Sequence, residues 1–202
     1  IRRTADGEPI LQHDPTFRRY YNLDRPVAEL TWAEARRLKA KPGGTSPMHF
    51  RDLCRMCENR IRLMLDIKGD SWPDAFYAGL ARLLEQHGLL RSCYLLGGER
   101  FERHFRGKAW RSSNRNSLQR AIDRGEDVRS NYFLFELGSV LDAEAVKLCR
   151  VHNVVPVAAI NTFCYTEAGR DEQKGAEEDV ARLKRLGVTH YQIDSRYESL
   201  FQ

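Results

Sequence analysis

Short apolar runs at 62–67, 92–96, 131–137, 154–160 and 189–193 recur along this chain, and apolar residues return at helical spacing in the stretches between them. Strands this continuously apolar are buried on both faces. Alternating with amphipathic helices, they predict a parallel sheet covered by helices. An extended run at 9–12 and another near 108–110 bring the strand candidates to about seven. One more at the N-terminus would complete the eight of a β/α barrel. The competitor is a doubly wound open sheet, but no glycine-rich phosphate loop follows a strand, which counts against a nucleotide-binding version. A chain of 202 residues suits one domain with a sizeable core, and no repeat or internal boundary interrupts 1–202.

Local signals place the helices. Thr31 and Glu34 have the spacing of a capping box, which predicts a helix to about Lys39, ended by Lys41-Pro42-Gly43-Gly44. Ser46-Pro47 reads as a cap followed by a first-turn proline, opening a helix to about Asn59. Phe76, Leu80, Leu83 and Leu84 mark a helix over 72–87 with Gly88 as its stop, and Gly97-Gly98 would close the strand at 92–96. Further helices are expected around 117–124, 142–151 and 175–186, and a polar loop from 162 to 179.

Composition excludes several classes. The apolar fraction of 42% and charged fraction of 30% are those of an ordinary folded protein, and no stretch is long and apolar enough to cross a bilayer. A cytoplasmic location is the expectation, with a signal peptide left open because the chain begins at Ile1. The net charge of +5 and heavy arginine use favour anionic ligands, phosphate groups and anionic lipid surfaces among them. Nucleic acid is not expected, since no folded nucleic-acid motif accompanies the charge. Cysteines at 54, 57, 93, 149 and 164 form no disulfide framework, and the pair at 54 and 57 lies in a helical stretch without a second pair at zinc spacing. Buried reduced thiols are expected.

The chemistry concentrates where apolar runs end on charge. Asp66 and Lys68 close the run Leu63-Met64-Leu65-Asp66-Ile67-Lys68, and the two-residue period of a strand puts both on one side. A carboxylate beside an ammonium suits a cation and its phosphate, or else a surface ion pair. The run at 9–12 delivers His13-Asp14 ahead of Pro15, which turns the chain and leaves His13 at a rim, where it can act as general acid or base or only pair locally. If the strands form a barrel, Glu136, Asn161 and Asp194 also lie at or near the rim formed by strand C-terminal ends.

These residues carry a family resemblance. Thr4-Ala5-Asp6-Gly7-Glu8-Pro9-Ile10-Leu11-Gln12-His13-Asp14 resembles the T-x-D-G-x-P-h-h-x-H-D stretch of the glycerophosphodiester phosphodiesterases. Leu30-Thr31-Trp32-Ala33-Glu34 resembles their dLTl-x-E helix start, Leu65-Asp66-Ile67-Lys68 their I-E-I-K strand, 157–161 their v-W-T-V-N, and 186–194 their GVDgiiTD. The resemblance implies an (β/α)8 TIM-type barrel whose first strand and helix are missing from the sequence given. The family's H-R-G and E-x-D segments, with two of three metal carboxylates and one of two catalytic histidines, would precede Ile1. It implies a metal-dependent hydrolase that cleaves small-molecule glycerophosphodiesters to glycerol phosphate and an alcohol, with Mg²⁺ or Ca²⁺. It assigns Asp66 to the metal, His13 to acid catalysis, and Lys68 and Asn161 to the substrate, with Glu136 and Asp194 as possible site members. Asp for Glu at 66, Ala158 and Ala159 where the family has tryptophan, and Gln192-Ile193-Asp194-Ser195 for iTDyP depart from the pattern. Those departures keep two alternatives open: a barrel that binds a phosphorylated ligand or partner without cleaving it, and a related phospholipid phosphodiesterase on the same fold.

Overall fold

The computed structural model describes residues 1–69, 72–96 and 103–202, and the chain divides into two compact units, Ile1–Trp110 and Arg111–Gln202. In the first unit, β1 (Arg2–Arg3) and β2 (Pro9–Leu11) pair antiparallel, Arg2 opposite Ile10. β3 (Thr16–Phe17) and β4 (Leu23–Pro26) form a small antiparallel pair around α1 (Arg18–Tyr21). α2 (Trp32–Ala35) starts with the expected capping box, Thr31 accepting from the Glu34 amide while the Glu34 carboxylate accepts from that of Thr31. Ile10, Phe17, Val27, Leu30 and Ala35 form a core of their own beneath these pieces.

β5 (Met48–His49) pairs antiparallel with the other edge of β2, and α3 (Phe50–Cys57) follows it directly. The expected helix from Pro47 therefore begins three residues later. His49, not Ser46, is its cap: the imidazole Nδ1 accepts from the Arg51 amide at 3.0 Å, while the Ser46 hydroxyl donates to the Leu38 carbonyl. α2 likewise stops short of Lys39. β6 (Met64–Asp66), α4 (Asp74–Gln86) and β7 (Tyr94–Leu96) then make a parallel strand–helix–strand unit, Met64 opposite Tyr94 and Asp66 opposite Leu96. Its core includes Leu65, Ile67, Tyr77, Leu80, Leu84 and Leu95. Gly97 and Gly98, expected to close β7, lie outside the described residues. One correction bears on the strand count. The run at 9–12 lies between two antiparallel partners, so it is no member of a parallel sheet.

The second unit takes in most of β8 (Trp110–Ser113), α5 (Arg115–Asp123), α6 (Val128–Asn131), β9 (Tyr132–Leu137), α7 (Ala143–Val151), β10 (Val155–Ile160), α8 (Thr162–Thr166), α9 (Glu172–Arg185) and β11 (His190–Ile193). β8 to β11 are parallel and adjacent in sequence order, with Ala158 of β10 opposite both Glu136 and Tyr191. Ala158 and Ile160 of β10 pack with Leu183, Val180 and Ala176 of α9. The stretch 162–179, expected as a polar loop, is irregular only at 167–171, between α8 and the first half of α9. Gly175 marks no loop. It is buried inside α9, where the Tyr165 ring fills the space a side chain would take.

Candidate active site

A cleft of about 410 Å³ in the first unit is lined by His13, Asp66 and Lys68, with Tyr20, Tyr21 and Leu53 among its other walls. Three residues nominated for their chemistry, 55 positions apart at the extremes, thus share one concavity. Each is placed by backbone pairing. β2 ends at Leu11, and buried Gln12 donates from Nε2 to the Thr16 carbonyl at 2.9 Å, closing the turn. His13 emerges from it with its side chain 65% exposed. Its Nδ1 lies 2.9 Å from Asp14 Oδ1, and Arg19 Nε lies 3.2 Å from the other Asp14 oxygen. The hydrogen bond with His13 holds the Asp14 carboxyl below the usual carboxylate range; slight burial opposes this, and Arg19 and Arg2 add to it.

In β6, Leu65 and the following Ile67 are buried, so the alternation turns Asp66 and Lys68 to the other side. They form the ion pair expected of them, Lys68 Nζ lying 2.6 Å from Asp66 Oδ2. The Lys68 amide donates to the Ile1 carbonyl at 3.0 Å, which seats the strand end against the chain leading into β1. Arg2 was not nominated from sequence. Its Nε donates to the His13 carbonyl at 2.9 Å; burial lowers its guanidinium from the ordinary value, while Asp14 and Asp66 both act to raise it. No local pattern marks Arg2: only the pairing of β1 with β2 brings it to this turn. The neighbourhood therefore joins a mobile proton carrier to three cations and two carboxylates, a set able to hold a phosphodiester and protonate a leaving oxygen.

The set does not by itself make a divalent-cation site. Asp66 offers hard oxygen ligands, but among the described residues it is the one carboxylate lining the cleft, and it is paired to Lys68. Among the described residues no three histidine, cysteine or acidic side chains gather as a metal would require. Cys54, Cys57, Cys93 and Cys149 are buried and free, and burial pushes the thiols of Cys54 and Cys149 up to about 12, which makes them inert.

The other three nominated residues lie in the second unit, at the C-terminal edge of its parallel strands. Their polar atoms are engaged there. Glu136 Oε1 accepts from the Arg115 amide at 2.9 Å, at the start of α5. Asp194 Oδ2 accepts from the Thr162 amide at 2.7 Å, at the start of α8. Asn161 donates from Nδ2 to Gln192 Oε1 at 3.3 Å. Glu136 and Asp194 each satisfy an orphan N–H at a helix start, a structural duty that strand-end position alone does not reveal.

Residues 1–71 match the Glycerophosphoryl diester phosphodiesterase family. The matched segment contains His13, Asp66 and Lys68, and the resemblance read from the motifs holds there. Solved structures are similar over nearly the whole chain. A phosphodiesterase from Oleispira antarctica, in complex with the product sn-glycerol-3-phosphate, is 16% identical with a TM-score of 0.72, covering 98% of this chain and 81% of that one. A glycerophosphodiester phosphodiesterase from Agrobacterium tumefaciens str. C58 is 14% identical with a TM-score of 0.71, covering 96% and 80%. A glycerophosphoryl diester phosphodiesterase from Parabacteroides distasonis ATCC 8503 is 18% identical with a TM-score of 0.69, covering 98% and 74%. No curated protein matches the chain. At these identities the structural likeness shows the fold, and the α/β barrel class expected from strand–helix alternation is borne out. Family match and fold together support a hydrolase of the phosphodiesterase type. No helix among the described residues is long and apolar enough to cross a membrane.

Proposed function

We propose that this protein hydrolyses glycerophosphodiesters to glycerol phosphate and an alcohol, with a divalent cation, Mg²⁺ or Ca²⁺, as cofactor. The observation that carries the reading is the single cleft shared by His13 and the Asp66–Lys68 pair, inside the segment that matches the family. The Lys68 ammonium neutralises the phosphoryl oxygens as charge builds on them. An oxygen nucleophile, water or the substrate's own glycerol hydroxyl, adds to phosphorus and releases its proton to solvent, and the bond from phosphorus to the leaving oxygen breaks; attack by the hydroxyl gives a cyclic phosphate that water then opens to glycerol phosphate. That oxygen keeps the electron pair and takes a proton from the His13 imidazolium. The Asp14 carboxylate, within hydrogen-bond reach of Nδ1, stabilises the imidazolium and leaves Nε2 for the substrate. The product bound to the Oleispira antarctica relative supports glycerol phosphate as the product class. The resemblance gives the cation to Asp66, but the described residues do not complete its site, so the steps assigned here are those of His13, Asp14 and Lys68.

The incomplete ligand set favours one other reading, a barrel that binds a phosphorylated ligand without cleaving it. Assay of the full-length protein on glycerophosphocholine and glycerophosphoglycerol, with Mg²⁺ or Ca²⁺ and then with excess chelator, separates the two. Cleavage abolished by chelator is the expected result. Cleavage that survives the chelator removes the cation from the proposal, and no cleavage with either ion overturns the enzyme reading.

A further inference from the structure

The chain's positive charge is not spread evenly. Residues 18–41 hold seven basic side chains (Arg18, Arg19, Arg25, Arg36, Arg37, Lys39, Lys41) against three acidic ones (Asp24, Glu29, Glu34), a balance of +4 within a chain whose total is +5. All seven are exposed. The segment is one folded patch: the Lys41 amide donates to the Tyr20 carbonyl at 2.9 Å, and Leu38 packs with Tyr21, Leu23 and Trp32 on the small core. Arg18 pairs with Asp24 and Arg19 with Asp14, whereas Arg36, Arg37, Lys39 and Lys41 form no ion pair among the described residues. Four exposed cations within the six residues 36–41 repel one another, a standing cost that an anionic partner would relieve.

Two further features point to the partner. Tyr20, 46% exposed, sits in the same patch with the Arg19 guanidinium 5.6 Å from its ring centre, and it also lines the cleft that holds His13 and Lys68. An amphipathic ring with an arginine over it matches the headgroup layer of a membrane, where tyrosine and lysine or arginine favour the same depth. Nucleic acid fits less well. α1 and α2 are four residues each, too short to enter a groove, and one exposed ring makes no stacking platform. We infer that residues 18–41 form a docking face for an anionic lipid surface, placed so that docking sets the mouth of the cleft against the headgroups. This inference stands on charge and exposure and does not depend on the catalytic reading.

The test is co-sedimentation of the full-length protein with vesicles of pure phosphatidylcholine and of phosphatidylcholine containing phosphatidylglycerol. Binding is expected only to the anionic vesicles and to weaken steeply with salt, since a basic face acts through screened charge. The triple variant Arg36→Glu, Lys39→Glu, Lys41→Glu should reduce the partition coefficient at least tenfold, given a gain of about fivefold per cation near an anionic leaflet. The control Arg120→Glu, in the second unit, should bind as the parent does. Circular dichroism and hydrolysis of glycerophosphocholine, a diester neutral overall, check that the triple variant is folded and its cleft intact, because none of the three residues lines it. No binding to anionic vesicles, equal binding by the triple variant, or retention on single-stranded RNA without retention on vesicles would each overturn the inference.

Discussion

His13 is defined by its turn more than by its own type. Buried Gln12, bonded to Thr16, fixes the bend, and Asp14 and Arg2 hold the histidine from side chain and carbonyl. Since the ring is largely exposed, removing it should leave stability within about 0.5 kcal/mol, whereas losing a general acid costs ~10²–10⁴ in rate. His13→Ala is therefore expected to abolish most diester hydrolysis with an unchanged melting temperature. Asp14→Asn should lower kcat by less and leave KM in place, because the substrate does not need that carboxylate to bind. A His13→Ala enzyme of near-parental kcat would remove His13 from the mechanism. The proline after His13-Asp14 and the two-residue period of 64–68 were enough to nominate three side chains that line one cleft, whereas Arg2 becomes visible only through its pairing across β1 and β2.

At the scale of elements, helix starts show what sequence can and cannot convey. Asp142 caps α7, accepting from the Ala145 amide at 2.8 Å, and also takes a two-pronged contact from Arg115 at 2.9 and 3.1 Å. The Ala145 amide first, and then Arg115 against slight burial, hold its carboxyl below the usual value of 3.8. A depressed folded-state value contributes stability that is complete above the unfolded-state pKa of about 3.9 and disappears as pH falls through the folded value. Asp142→Asn keeps the cap but cannot titrate, so melting temperatures measured from pH 6 to pH 2 should fall less steeply for it than for the parent. Asp142→Ala should lose ~1 kcal/mol at neutral pH. Gly175 teaches the opposite lesson. Glycine in a helix normally costs ~1 kcal/mol relative to alanine, so Gly175→Ala would be stabilising on propensity alone. Here an added Cβ would meet the Tyr165 ring at 2.6 Å, and that ring is buried and stacked edge-on against Tyr197. Overpacking costs ~1–3 kcal/mol and outweighs the propensity gain, so the variant should melt lower than the parent. The same contact explains why 162–179 reads as loop in sequence: the glycine answers to a neighbour 10 positions away in the chain, which local pattern cannot display.

For the whole molecule, the parallel strands separated by helices were legible because burial on both faces writes itself as uninterrupted apolar runs. The run at 9–12 misled for a physical reason: three residues of central antiparallel strand look the same as three of parallel strand, and only partners decide. The basic stretch at 18–41 is contiguous and so legible in sequence; what only the fold shows is that its Tyr20 and Tyr21 line the cleft. That placement has a kinetic consequence for a soluble substrate. Glycerophosphoglycerol carries one negative charge, while glycerophosphocholine is neutral overall, so only the first is drawn by a field of +4 at the lip. Raising the ionic strength from about 20 to about 200 mM contracts the screening length from roughly 20 Å to roughly 7 Å and removes most of that attraction. Four unit charges at about 15 Å in water together supply on the order of 1 kcal/mol unscreened and about half of that at the lower salt, worth about twofold in KM. KM for glycerophosphoglycerol should therefore rise about twofold over this range with kcat constant, and KM for glycerophosphocholine should hardly change. A parallel rise for both substrates would mean that salt acts on the cleft itself, on the Asp66–Lys68 pair, and not through the basic face.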